Sequence, residues 1–96
     1  MLKLVAIYKT PQNIEEFEAR YKEHLGLVAK IPNLKGTRLT RVKKTLMGDG
    51  LYLIAELLFE NQDTYKAAMK SPENDAAGKQ LMTFAKDIVN MYFAEE

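Results

Sequence analysis

Leu51–Phe59 reads Leu-Tyr-Leu-Ile-Ala-Glu-Leu-Leu-Phe, nine residues with a single charge. Side chains alternate between faces along an extended chain. Leu51, Leu53, Ala55, Leu57 and Phe59 therefore share one face, while Tyr52, Ile54, Glu56 and Leu58 share the other. Both faces are mostly apolar, which is the pattern of a central strand covered on both sides. Meeting that demand is hard for a chain of 96 residues. It makes one domain, and a small domain buries only roughly 60% of its unfolded surface. Helices from the same chain can cover one face of a sheet. The other face must be polar and wet, hold a ligand, or meet a second sheet.

The rest of the chain supplies the neighbours of that strand. Leu2–Tyr8 is rich in branched and aromatic residues and ends at Lys9-Thr10-Pro11, a strand followed by a turn. Asn13 with Glu16 three positions on has the form of a capping box, and Glu15 and Glu16 suit the positive end of a helix dipole. Ile14, Phe17, Tyr21, Leu25 and Val28 recur at spacings of three and four, one apolar stripe down a helix. Ile31-Pro32-Asn33 should close it, since the residue before proline is pushed out of the α region and asparagine tolerates positive φ. Leu34–Lys44 alternates loosely and carries many charges, an edge strand that forms a hairpin with Leu51–Phe59 around Gly48-Asp49-Gly50. Asn61 caps a short helix through Met69, and Ser71-Pro72 starts another whose apolar face holds Ala77, Leu81, Phe84 and Ala85. Ile88–Phe93 is a last strand before the acidic Glu95-Glu96.

The order βαββαβ with right-handed crossovers predicts an α+β, ferredoxin-like fold: a single domain over residues 1–96 with a four-stranded antiparallel sheet and its helices on one side. The uncovered face is too apolar to stay wet. Two copies packed sheet to sheet would close it, so a homodimer forming an α+β barrel is expected.

Several function classes drop out. Fourteen Lys and Arg against thirteen Asp and Glu give a net charge of +1, and no whole-protein field to steer nucleic acid or anionic lipid. The halves do differ, +6 over residues 1–48 and −5 over residues 49–96. The basic stretch Lys35, Arg38, Arg41, Lys43, Lys44 reads first as a charged edge that resists aggregation. The aromatic strand motif of an RNA-binding ferredoxin-like domain is missing, and no nucleic-acid partner is expected. There is no phosphate-binding loop, dinucleotide fingerprint, nucleophile elbow or His-Glu-x-x-His run. With one histidine and no cysteine, neither a metal nor another cofactor is expected. Absent cysteines suit a reducing compartment, the longest apolar run near the start is the five residues Leu4–Tyr8, and a cytoplasmic location away from membranes is expected.

His24 is the main candidate for chemistry. On the helix it lies beside Phe17 and Val28 and three positions after Tyr21, so it turns toward the sheet. Two readings are open: a core-edge histidine satisfied by one hydrogen bond, or a general acid or base held neutral in a partly apolar pocket. Glu56 would orient it if the strand presents that carboxylate to the helices. Tyr8 and Tyr52 should lie close together, and with Tyr21 they offer hydroxyls to a ligand in an apolar pocket.

The run Tyr21-x-x-His24-x-x-Leu27-Val28-x-Lys30-Ile31-Pro32-x-Leu34 resembles the EthD-like family of the dimeric α+β barrel superfamily. The likeness continues through Leu4–Lys9 with Pro11, Ala55-Glu56-Leu57-x-Phe59, Ser71-Pro72-Glu73 and Phe84. Gly26 and Asn33 depart from it, standing where the family usually has proline and glycine. The resemblance implies a homodimeric barrel with a pocket for a small, largely apolar or aromatic molecule. Members of the wider superfamily include cofactor-independent monooxygenases, isomerases and cyclases. The expectation is a protein that binds such a metabolite, with His24 transferring a proton and Tyr8, Tyr21, Tyr52 and Glu56 as further ligand contacts. The alternative is a non-catalytic binding or accessory protein of an oxygenase pathway.

Overall fold

The structure, a computed structural model, describes residues 1–96. Its elements are β1 (Leu2–Lys9), α1 (Ile14–Val28), β2 (Gly36–Arg41), β3 (Leu51–Phe59), α2 (Gln62–Met69), α3 (Pro72–Met82) and β4 (Val89–Glu95). The strands form one antiparallel sheet in the order β2-β3-β1-β4, the ferredoxin-like arrangement, with β3 and β1 central. Leu4 pairs with Leu57 and Phe93, and Ala6 with Ala55 and Met91. Leu2, Leu4, Ala6 and Tyr8 therefore share a face with the odd positions of β3, and the helices cover that face.

Local chemistry sets the helix ends. Asn13 accepts from the Glu16 backbone N–H at 3.0 Å, one half of the anticipated capping box. The reciprocal box forms instead at α2, where Asn61 and Thr64 each satisfy the other's backbone N–H. Ser71 joins α2 to α3 by accepting from Asn74 N–H at 3.1 Å and donating to the Ala68 carbonyl at 2.6 Å. α1 continues unbroken past Gly26 and ends at Val28, and Asn33 takes φ of 67° in the following turn.

Two strands differ in extent from the sequence reading. β2 is shorter than Leu34–Lys44, because beyond Arg41 the backbone pairs with β3 only through the Val42 N–H, bonded to the Tyr52 carbonyl at 2.9 Å. The two strands are thus joined by a broad loop rather than a tight turn at Gly48-Asp49-Gly50. β4 runs on through Glu95, opposite Leu2, since β1 offers a partner along its whole length. Finally, the imbalance of charge between the two halves is resolved across the sheet. Lys3 meets Glu56 at 2.6 Å, Lys35 meets Glu60 at 3.7 Å and Arg38 meets Glu96 at 3.9 Å, each pairing the basic half with the acidic one.

The core has two parts. One gathers Tyr8, Phe17, Tyr21, Leu53, Ala55, Leu81 and Ala85; the other gathers Val28, Ile31, Leu57, Phe59, Ala68 and Ala77. Between them the covered face is not filled.

Candidate functional site

A cavity of about 280 Å³ lies between the sheet and helices α1 and α3. Leu4, Ala6, Ala55 and Leu57 form its floor, and Val28, Ala77 and Leu81 are among the residues of its walls. Small side chains at Ala6, Ala55, Ala77 and Gly78 leave the space between the helices and the sheet unfilled here. Fourteen of its seventeen lining residues are hydrophobic. The lining residues that carry polar side-chain groups are Tyr8, Tyr21, His24 and Asn74.

Tyr8 and Tyr21 are 1% and 2% exposed, and their rings meet edge to face with centroids 5.4 Å apart. Burial pushes both phenols up, Tyr21 to about 12, so both remain protonated donors at neutral pH. His24 is 6% exposed, with its ring 5.6 Å from that of Tyr21. Burial lowers its affinity for a proton below the ordinary imidazole value, and hydrogen bonding to Gln80 and to the Ala77 carbonyl partly opposes this. The His24 Nδ1 stands 3.0 Å from Gln80 Oε1. A neutral imidazole thus shares an apolar cavity with two protonated tyrosines, whose hydroxyls also bond to each other. Such a site can accept a proton from an acidic C–H or O–H and stabilise the oxyanion that results.

The other two anticipated residues lie elsewhere. Glu56 is opposite Val5, on the face away from the helices, where its carboxylate pairs with Lys3 at 2.6 Å. It does not reach His24, because β3 presents its odd positions to the helices. Tyr52 lies outside the cavity. β1 and β3 slip at Tyr8/Lys9, where Lys9 pairs with Leu51 and Tyr8 with Leu53. Tyr52 is the extra residue of that bulge, and a bulge re-aims a side chain. Its ring packs edge to face on Phe17 at 5.7 Å and its hydroxyl donates to Glu18. Tyr8 packs on the same Phe17 at 5.6 Å, so one aromatic cluster holds both tyrosines while only Tyr8 faces the cavity. Glu18 also binds Arg41 through two contacts of 3.0 and 2.8 Å, which tie α1 to the end of β2. This clamp holds the Glu18 carboxyl below its ordinary range, chiefly through Arg41.

Sequence reasoning missed Gln80, Asn74 and the Glu18–Arg41–Tyr52 clamp. Gln80 stands next to Leu81 and three positions after Ala77, so its polar character beside an apolar stripe was the available signal. Nothing in the spacing of Glu18, Arg41 and Tyr52 announces their meeting.

The sheet order and the helix-roofed apolar cavity define a ferredoxin-like α+β protein with an internal apolar space between helices and sheet. Residues 9–88 match the EthD domain, and the chain belongs to the EthD family. An EthD family protein of Bacillus halodurans is 33% identical, with a TM-score of 0.93 and coverage of 100% of this chain and 98% of the other. An uncharacterized 11.0 kDa protein from the thcB–thcC intergenic region of Rhodococcus erythropolis is 29% identical over 99 residues, covering 100% of this chain and 95% of the relative. More distant structures share the fold alone. A dimeric ferredoxin-like protein of Thermobifida fusca superposes with a TM-score of 0.73 at 15% identity, over 99% of this chain and 90% of the other. SnoaB of Streptomyces nogalater, a cofactor-independent oxygenase, also gives a TM-score of 0.73 at 15% identity, over 99% and 91%. No helix is long and apolar enough to cross a membrane.

Proposed function

We propose that this protein binds a small aromatic or apolar carbonyl or enol compound in the cavity and moves a proton on it, with His24 as the base. One observation carries the reading: the only imidazole of the chain is buried, kept neutral, and lines an apolar cavity together with two protonated tyrosines. The volume of about 280 Å³ is at the small end of ligand sites and suits a compact molecule. Proton abstraction next to a carbonyl gives an enolate whose oxygen can be held by Tyr8 or Tyr21. Reprotonation at another carbon is isomerisation, attack on a second carbonyl is cyclisation, and reaction with dioxygen is the oxygenase route that SnoaB's fold likeness brings within range. All three share the first step.

The protein acts as a homodimer. The face away from the helices carries Val5, Ile7, Ile54, Leu58 and Tyr92 around the Lys3–Glu56 pair. A second sheet laid on it would bury this mixed surface, and dimeric neighbours of the same fold support that arrangement. Light scattering should give twice the chain mass of 11.0 kDa at micromolar concentration; a monomer would refute the dimer.

The chemistry is tested with 2-tetralone in deuterium oxide, following exchange of its α-protons by NMR. The wild-type protein should speed exchange over buffer, and His24→Ala should remove roughly 10²–10⁴-fold, the usual contribution of a positioned base. Equal rates with and without His24 would refute the base. Saturable binding of 2-tetralone with no acceleration would instead support the accessory, non-catalytic role.

A further inference from the structure

Gln80 is not part of the cavity lining, yet its side chain touches the one imidazole that is. Its amide has two partners. The Nε2 donates to the Arg20 backbone carbonyl at 3.2 Å, and the Oε1 faces His24 Nδ1 at 3.0 Å. The orientation is forced. Turning the amide over would set its oxygen against the Arg20 carbonyl, two acceptors together, and its NH₂ against the ring nitrogen. Because an amide oxygen only accepts, the nitrogen opposite it must carry the hydrogen. The Ala77 carbonyl is the other acceptor near the ring. It competes for the ring, since a carbonyl in a helix ladder keeps a second lone pair, as the Arg20 carbonyl shows by accepting from Gln80.

We infer that Gln80 is a positioning residue: tethered by the Arg20 carbonyl, its Oε1 fixes neutral His24 as the Nδ1–H tautomer and leaves Nε2 as the basic nitrogen offered to the cavity. This bears on the function proposed above, since a base needs its free lone pair toward the substrate and its protonated nitrogen anchored behind. It also joins three elements. α1 supplies both the histidine and the carbonyl that holds the glutamine, α3 supplies the glutamine, and the sheet supplies the floor beneath the ring. A glutamine at this point does what a carboxylate does in other histidine sites, without placing a charge under an apolar cavity.

A chain with a single histidine allows the tautomer to be read directly. Long-range ¹H–¹⁵N correlation spectra of the ligand-free protein, taken well above the ordinary imidazole pKa of about 6.5, should show Nδ1 as the pyrrole-type nitrogen and Nε2 as the pyridine-type one. Gln80→Leu should collapse this pattern toward the Nε2–H form that a free side chain prefers. Gln80→Glu gives up the donation to the Arg20 carbonyl but still offers the ring an acceptor, and should retain the pattern at a pH that keeps the imidazole neutral. A reversed pattern in the wild type would overturn the inference and assign the ring to the Ala77 carbonyl. So would an unchanged pattern in Gln80→Leu. If Gln80→Leu does not fold, the wild-type and Gln80→Glu spectra still decide. No turnover is involved, so failure here is distinct from a failure of His24→Ala to slow proton exchange.

Discussion

Gly26 and Gly78 offer a controlled pair of substitutions that separates the stability of the helices from the use of the cavity. Each sits inside a helix, Gly26 in α1 and Gly78 in α3, and a Cβ built on either meets no atom within 4 Å. Neither has positive φ. Nothing in the native state therefore opposes alanine. The gain comes from the conformational freedom that glycine has in the unfolded chain and alanine lacks, about 0.5–1 kcal/mol at each site. For a domain of this size that raises Tm by about 2–8 °C. Far-UV circular dichroism melts at one fixed protein concentration should show it, since association makes Tm depend on concentration. The two sites differ in what the new side chain enters. Gly26 is exposed and away from the cavity, whereas Gly78 lines it. Binding of 2-tetralone should be untouched by Gly26→Ala, weakened by Gly78→Ala and abolished by Gly78→Leu, whose side chain occupies the space beside Leu81 and Met82. A loss of stability in either alanine variant would refute the open-helix reasoning. Unimpaired binding by a folded Gly78→Leu would show that ligand does not use this cavity.

Leu53→Ala removes a side chain with no exposed surface from the cluster under Tyr8 and Tyr21. It should cost about 2–5 kcal/mol in urea unfolding, and a loss below about 1 kcal/mol would show that the cluster collapses around the gap. His24 binds a proton less readily when folded, because burial opposes the charge. The unfolded chain then holds more protons just below pH about 6.5, so stability present above that value falls as pH drops through the window, by about 1.36 kcal/mol per unit of depression. His24→Gln should lose this acid-side slope, and an unchanged profile would place the slope elsewhere. Glu56→Lys sets like charges together beside Lys3 and opposite Arg38 on the uncovered sheet face. It should shift the light-scattering mass from dimer to monomer, and a dimer of unchanged stability would show that another surface mediates association.

Much of the fold was legible because its signals are local. The proline-terminated strand β1, the three-and-four spacing of Phe17, Tyr21 and Val28, the tolerance of Asn33 for positive φ and the Ser71-Pro72 restart all depend on residues within a turn of each other. The place of His24 followed from the same helical period, and it is buried where the stripe puts it. The face of Glu56 did not follow. Both faces of β3 are apolar, so alternation alone offers no choice, and it is the covering helices that select the odd positions. Tyr52 escaped for a different reason: the β1/β3 bulge turns this even position onto the helix face, where it meets Phe17 and Glu18 outside the cavity, and no sequence signal marks that slip. Gln80 acts across 56 residues of chain, a contact that exists only once α3 is laid against α1.

The most direct measurement follows the single imidazole while a planar enol analogue is added. 2-Naphthol places an aromatic hydroxyl where the enol of 2-tetralone would carry its own. Titrated into uniformly ¹⁵N-labelled protein, it should produce a saturable shift of the His24 ring resonances, with Nε2 moving most and Nδ1 held by Gln80. The shift should vanish in Gly78→Leu. An imidazole whose resonances stay fixed while naphthol binds elsewhere on the protein would contradict a proton-transfer site under His24.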